Sequence, residues 1–356
     1  MSNLEKHPQE LVCVVDPDAG AGVEVLEPRE VPLGGPRALL VRRTLPQRRR
    51  SLIGAWCFVD SYGPTPVPRA GVMDTPPHPH TGLQTVSWLY EGQIEHRDST
   101  GAHQLIDPGQ VNLMTAGRGI QHSEVSTTAA ETLHGVQLWT ALPEAWRGVA
   151  PFFEHHVADV ATVGEATLRV FVGSWLGVTS PVTAYTPLVA AELVLPAGAS
   201  VELPADPELE YGLVVDHEPA RLQSVDVPAH HLGVVPVGAD AVRIDAPAGP
   251  LRVLVIGGAP LDEAIVMWWN FVGRSHDEIV AWRGEWQGDV IADADRAGRF
   301  GHVEGYDGAP LPAPELPNVR LRPRERGGRG DAGFETRHAC GVALLNPLSA
   351  VRSSTG

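Results

Sequence analysis

Apolar and polar positions alternate along the chain in short runs that end at turn residues. In the first half, the runs RALLVRRTL (37–45), LIGAWCFVD (52–60), LQTVSWLYEG (83–92) and HGVQLWTAL (134–142) are rich in β-branched and aromatic residues, and DSTG and DPG lie between later runs. Such spacing predicts β-strands joined by hairpins. Residues 61–80 hold five prolines before His78, so this segment is predicted to be a loop.

The second half repeats this rhythm of strand and turn without an exact sequence repeat. VFVGSWLG, LVAAELVLPAG, EYGLVVD and LRVLVIGGAPL are apolar runs typical of short strands. Ser275 and Glu278 then form a capping-box pattern, which predicts a short helix packed on a barrel. Beyond residue 311 the chain is rich in Pro, Gly and Arg, which favours a disordered tail. The predicted domains are residues 1–160, 161–310 and 311–356.

Composition and charge limit the fold and the function. The 356 residues include 38 Gly and 32 Pro, which fits an all-β fold with many turns. A net charge of −16 disfavours direct binding of nucleic acid. The basic residues among positions 42–50 could form a nucleic-acid patch or a localisation signal, but a solvated hairpin end is the favoured interpretation. Three scattered cysteines, a charged N-terminus and the lack of a long apolar run predict a cytoplasmic protein without a membrane partner.

Two short histidine motifs carry the candidate chemistry. His78 and His80 are two residues apart, and His122 and Glu124 repeat this spacing about 40 positions later. Side chains two apart on a strand point to the same side, so each pair can converge on one ion. Three imidazoles and a carboxylate suit iron(II), nickel, copper, manganese or zinc, with an open position for O₂ or a chelating substrate. From the residues alone, a surface or structural role stays equally open.

The sequence around these motifs resembles the pirin family over residues 35–285. The resemblance rests on HPHTGLQTVSWLYEGQIEHRDSTG (78–101), DPGQVNLMTAGRGIQHSE (107–124) and HGVQLWTALP (134–143), with flanking motifs at 41–64 and 264–279. It implies two stacked cupin (jelly-roll) β-barrels, of which the first holds one divalent metal ion and the second has lost its ligands. It also implies that the metal ligands are His78, His80, His122 and Glu124.

Two further residues are candidates for supporting the metal. Gln84 stands where many pirins have Glu, and it is either a hydrogen-bonding residue of the second shell or a residue that lines the barrel. His96 matches a recurrent pirin position and has either a structural hydrogen-bonding role or a catalytic one. The change at Gln84 bears on the redox tuning of the metal rather than on its binding.

The resemblance implies two alternative functions. The first is a dioxygenase of quercetin or a similar flavonol or enol, in which Glu124 is both a ligand and the general base and iron(II) is the favoured ion. The alternative is a metal- or redox-responsive regulatory protein that binds a transcription factor or a metabolic enzyme. The acidic balance predicts that such a role would use protein contacts rather than DNA contacts.

Overall fold

The first half of the chain folds into two facing antiparallel sheets. The computed structural model describes residues 22–33, 39–67 and 73–323. The strands of this half are β2 Arg29–Leu33, β3 Leu39–Leu45, β4 Trp56–Pro66, β5 Asp74–His80, β6 Leu83–Glu91, β7 Ile94–Asp98, β8 His103–Ile106, β9 Gln110–Thr115, β10 Ile120–Ser126, β11 Thr132–Ala141 and β12 Phe152–Val157. Their order is β12-β9-β6-β11-β4-β3-β2 in the larger sheet and β5-β10-β7-β8 in the smaller one. These two sheets are called the first barrel.

The second half repeats the arrangement. Its strands are β1 Glu24–Leu26, β13 Ala161–Val163, β14 Ala166–Trp175, β15 Val178–Thr179, β16 Leu188–Leu195, β17 Ser200–Pro204, β18 Glu210–Val215, β19 Ala220–Leu222, β20 Val225–Val227, β21 Leu232–Val235, β22 Ala241–Asp245 and β23 Leu251–Gly258. One sheet has the order β1-β21-β18-β23-β16-β14-β13, with β15 beside β14, and the other has the order β17-β22-β19-β20. This second barrel confirms the predicted all-β fold of two barrels. Its first strand, β1, comes from the N-terminal end of the chain.

The two barrels share one apolar core. Trp88 on β6 stacks on Phe171 on β14 with ring centroids 4.2 Å apart. The indole N–H of Trp56 donates to the carbonyl oxygen of Gly257 at 3.0 Å. Close approach explains a glycine here, because a Cβ on Gly54 would lie 2.7 Å from the Cα of Gly258.

The basic cluster of residues 42–50 contains two buried arginines. Arg43 is 1% exposed and donates from Nε to Asp60 at 2.7 Å. Arg50 is 6% exposed and donates to Glu210 of the second barrel at 2.9 Å. The interpretation of this cluster as a solvated hairpin end is therefore wrong for these two side chains. Each charge is paired with a buried carboxylate, so removal of either partner would leave an uncompensated charge in the interior.

The prediction of a loop over residues 61–80 is wrong for most of this segment. Strand β4 extends to Pro66, and β5 begins at Asp74. Between β5 and β10, His78 lies opposite His122 and Thr75 lies opposite Glu124. Three steps on β5 therefore face two on β10, which is a bulge at Pro76 and Pro77. Prolines have no N–H to donate, so a strand that contains them is accommodated at an irregularity of this kind.

The C-terminal helix confirms the capping-box prediction. Helix α1 spans His276–Glu285, and the side chains of Ser275 and Glu278 each bind the other's backbone. A π-helical turn, Trp286–Ile291, follows it, and the hairpin of β24 Val266–Trp268 and β25 Phe271–Gly273 packs beside it. Within the described part of the chain, no helix has the length and apolar character needed to cross a membrane.

An irregular segment, residues 292–323, then runs along the first barrel. The Leu311 N–H donates to the carbonyl oxygen of Pro77 at 2.9 Å, and the Tyr306 hydroxyl donates to Asp74 at 2.8 Å. The sequence predicts a disordered tail from residue 311. Residues 311–323 instead belong to this described segment, and residues 324–356 lie outside the described residues. The domain limits at 160 and 310 stay predictions.

Candidate metal centre

Strand pairing in the smaller sheet of the first barrel brings the predicted site residues together. On one side of β10, His122 faces His78 of β5. On the other side, β7 places Asp98 opposite His122 and His96 opposite Glu124. Two segments far apart in sequence are therefore joined by antiparallel register, and the side chains of these residues are all buried.

His78, His80 and His122 form a compact cluster of imidazoles. Their ring centroids lie 4.3 to 5.1 Å apart, and one nitrogen from each ring lies within 4.8 Å of the others. The Nε2 atoms of His80 and His122 are 3.1 Å apart. Imidazole nitrogens that converge in this way are suited to a shared metal ion.

The chemistry of this cluster fits a metal. The Nδ1 of His78 lies 2.8 Å from the carbonyl oxygen of Pro76, which requires the proton on Nδ1 and leaves the lone pair on Nε2. That Nε2 is buried and has no hydrogen-bond partner. Burial holds the pKa of His78, His80 and His122 well below the usual value, so their rings are neutral. Neutral imidazole is the form that binds metals.

Glu124 belongs to a second group, which it forms with His96 and His122. Ser87 donates its hydroxyl to Oε1 of Glu124 at 3.1 Å. Among the described residues, no group of donor atoms so close together contains all four predicted ligands, because only His122 is common to both groups. The four-residue ligand set therefore stays a prediction, with three histidines clustered and the carboxylate beside one of them.

His96 connects the cluster to a buried carboxylate. Its Nδ1 lies 3.4 Å from Nδ1 of His122, and its Nε2 lies 3.1 Å from Asp98. Burial raises the pKa of the Asp98 carboxyl, but the hydrogen bonds from His96 and Thr100 outweigh burial and leave this pKa below its usual value. The ring of His96 also stacks on Phe153, 4.5 Å away. Its orientation is thus fixed on both sides.

Gln84 is buried, and its hydrogen bonds lead to three threonines. Its amide nitrogen donates to the Thr115 hydroxyl at 2.9 Å and to the Thr183 carbonyl oxygen at 3.0 Å, and its oxygen accepts from Thr140. None of these three partners is a predicted metal ligand. A role for Gln84 in the second shell remains a prediction.

Three residues of the site were missed from the sequence: Ser87, Asp98 and Asn270. Asp98 could have been found, since it is two residues after His96 and repeats the spacing that identified the ligand pairs. Asn270 had no local signal. Its backbone acts on His80 and partly offsets the lowering of that pKa by burial, although Asn270 lies far along the chain between β24 and β25.

Comparisons with known proteins agree with the fold and the motifs. The Pirin family model matches residues 38–140, and the Pirin C-terminal cupin domain matches residues 190–290. A Pseudomonas aeruginosa protein named "Putative quercetin 2,3-dioxygenase" is 39% identical over 292 residues, which cover 81% of this chain and 89% of that protein. A pirin-like protein of Caulobacter vibrioides is 31% identical over 77% of this chain and 94% of its own length.

A solved structure extends the agreement to three dimensions. The crystal structure of a quercetin 2,3-dioxygenase from Acinetobacter baumannii has a TM-score of 0.79 and 38% sequence identity, covering 85% of this chain and 98% of the other. Both halves of the fold are therefore those of two cupin domains. Given both family models and relatives similar over most of their length, the chain belongs to the pirin family.

Proposed function

We propose that this chain is a metal-dependent dioxygenase that cleaves quercetin or a similar flavonol or enol. The observation that carries the proposal is the cluster of three buried, neutral imidazoles with Glu124 beside it. The names of the Pseudomonas relative and of the Acinetobacter structure support the same reaction class, at 39% and 38% identity. A metal with an open position suits a substrate that chelates through adjacent oxygens.

The residues that would hold the metal are His78, His80 and His122, with Glu124 as the fourth ligand. Iron(II) is the favoured ion, and nickel, copper, manganese and zinc also suit these donors. When bound, the metal supplies Lewis acidity and a template that brings substrate and O₂ together. Buried imidazoles that are already neutral release few protons on binding, so the protein is prepared for the ion.

The surrounding side chains have separate roles in this proposal. Glu124 accepts the proton of the flavonol hydroxyl on its carboxylate, as a general base. Ser87 orients that carboxylate through its hydrogen bond to Oε1. His96, bound to Asp98, lies behind His122 and fixes the orientation of its ring. The ring of His80 packs nearly perpendicular to that of Trp139, with ring centroids 5.0 Å apart.

The test is aerobic turnover of quercetin by protein loaded with one metal at a time. The reaction cleaves both ring carbon–carbon bonds of the hydroxyl-bearing carbon in the central, oxygen-containing ring. That carbon leaves as carbon monoxide, and both atoms of O₂ enter the remaining product, an ester that carries a carboxylic acid. We expect equal amounts of quercetin lost and carbon monoxide released. Glu124→Gln at saturating metal should slow turnover by about 10²–10⁴-fold, which is the usual contribution of a general base.

His103→Ala is a matched control, because His103 lies on the neighbouring strand β8 with a half-exposed side chain and pairs with Glu95. It should keep wild-type turnover. Full occupancy by iron, nickel, copper or manganese without loss of flavonol would overturn the enzyme proposal. Binding to a transcription factor or metabolic enzyme that follows the metal's oxidation state would then be the remaining function.

A further inference from the structure

A second cluster of potential metal ligands lies where the two barrels meet. Among the described residues, one donor atom from each of His134, Asp216 and His217 lies within 4.8 Å of the others. Nε2 of His134 is 2.9 Å from Oδ1 of Asp216, and Nε2 of His217 is 3.6 Å from the same oxygen. The ring of His230 lies 5.0 Å from that of His217. None of these residues is part of the first centre.

The backbone leaves regular strand geometry at or beside the residues of this cluster. His134 lies at a shift of register in β11, against β4 on one side and β6 on the other. A bulge of this kind redirects a side chain. Asp216 and His217 follow β18, and the N–H of His230 donates to the Asp216 carbonyl oxygen at 2.9 Å. His230 has φ of 66°, a strained conformation for a residue with a side chain, and such strain is concentrated at functional sites.

The charges around the cluster determine what kind of ion it suits. Arg252 lies 3.9 Å from Oδ2 of Asp216, but it also pairs with Glu192 at 3.1 Å and covers the ring of Tyr90. Arg42, whose charge also acts on His217, donates to the Gly63 carbonyl oxygen. Positive charge this close disfavours Mg²⁺ or Ca²⁺, which depend on anionic oxygen ligands. Two imidazoles beside a single carboxylate are instead the kind of donors that zinc, nickel and copper(II) prefer.

The histidines on the second-barrel side are available as ligands at neutral pH. Burial lowers the pKa of His217; the charge of Asp216 raises it, but His134 and the two arginines also lower it, and the pKa stays below its usual value. Burial also lowers the pKa of His230 to about 4. Both rings are therefore neutral, with lone pairs to offer. The side chain of His217 is 40% exposed, so an ion can reach it directly from solvent.

We propose that His134, Asp216 and His217 form a second metal site, selective for zinc, nickel or copper(II), that links the first barrel to the second. His134 comes from the first barrel and the other two residues from the second, so the bound ion would join the barrels. The ring of His230 lies against that of His217, beside the three proposed ligands. This site is independent of the proposed dioxygenase reaction.

The test counts zinc ions bound by metal-free protein, using isothermal titration and metal analysis after dialysis. We expect two equivalents for the wild type and one each for His122→Ala and His217→Ala. The double variant should bind none. His302→Ala is the matched control, because its side chain is 42% exposed against 40% for His217, and it should bind two equivalents. The same number of zinc ions bound by the wild type and by His217→Ala would overturn the proposal, whatever the first centre binds.

A second measurement tests the link between barrels. In the His122→Ala background, zinc should raise the melting temperature, since an ion that binds only the folded protein stabilises it. His217→Gln in that background, which keeps a polar side chain, should abolish the increase. The same increase with calcium, or an increase that persists in His217→Gln, would contradict the site and its selectivity.

Discussion

The two barrels have similar frameworks but opposite interiors. Between the sheets of the first barrel, the clustered histidines, Glu124, Ser87 and Gln137 are buried, and Ser87 bonds to both Glu124 and Gln137. Among the described residues of the second barrel, the buried polar or charged side chains are Ser180, Glu192 and Glu210, and its core is otherwise apolar. Buried polar groups are costly unless they are hydrogen-bonded, whereas apolar packing stabilises directly. The comparison therefore suggests that the second barrel contributes stability and the first contributes chemistry.

The junction shows how the stable barrel supports the other one. Glu210 of the second barrel accepts hydrogen bonds from Arg50 and from the Gly54 N–H. Trp88 reaches across to stack on Phe171 and donates to Glu192. The second barrel thus packs against the outer face of the first barrel's large sheet. The polar residues lie on the inner face of that sheet.

The largest expected effect comes from a cavity in the second barrel. Leu193 on β16 is fully buried in the apolar cluster. We expect Leu193→Ala to lower the free energy of unfolding by about 2–5 kcal/mol, through lost burial and the cavity left behind. Urea denaturation measures this change. Leu40→Ala, at a 61% exposed position, should change stability by less than about 0.5 kcal/mol.

The metal content of folded Leu193→Ala tests whether stability and metal binding are divided between the two barrels. If the barrels divide stability and chemistry as described, this variant keeps its first-centre metal at temperatures where it is folded. A proportional loss of metal would show that the second barrel's core also shapes the centre.

A smaller effect is expected from removal of one imidazole in the first barrel. His122 is the residue common to both ligand groups. We expect His122→Ala to weaken metal binding at the first centre by about 100-fold or more, because even residues behind the ligands account for about 10–100-fold. Competition with a chelator of known affinity measures the change. Unaltered affinity would remove His122 from the ligand set.

The smallest expected effect is the pH dependence of the metal-free protein. The pKa values of His78, His80 and His122 lie well below 6.5 in the folded state because of burial. Below pH 6.5 the unfolded chain takes up protons on these rings and the folded protein does not, so stability should fall as pH falls from 6.5. Well above pH 6.5 the rings are neutral in both states and contribute no change.

Thermal melts of the wild type and His78→Gln between pH 8 and 5 check this expectation. The variant has one buried imidazole fewer, so its melting temperature should fall less steeply below pH 6.5. His217 and His230 of the junction also have lowered pKa values. Both residues are present in the two proteins, so they add the same pH dependence to each melting curve. Parallel curves would show that His78 is charged or solvated in the folded state.

Spacing along the sequence predicted the parts of the site that lie on one strand. The pairs His78–His80 and His122–Glu124 follow the two-residue period of a strand, and their local placement could be foreseen. What sequence could not give is the bulge at Pro76 and Pro77, which changes how β5 and β10 pair at Glu124. Glu124 groups with His96 because the register of a third strand, β7, places the two residues opposite each other.

Residues contributed by distant segments were harder to predict. Short-range signals located the helix at Ser275 with its capping box. They did not reveal that Arg50 is buried, because its partner Glu210 is 160 positions away. The same limit applies to the junction cluster, since His134 and Asp216 become neighbours only when the barrels dock.

The placement of β1 has a consequence for synthesis of the protein. Glu24–Leu26 pairs with Leu232–Val234 of β21, so β1 has no partner until about two hundred further residues have been made. The first barrel can assemble in that interval, but β1 must wait. Completion of the second barrel is therefore also the step that anchors β1, and a ribosome stalled before residue 232 would hold a folded first barrel and an unpaired β1.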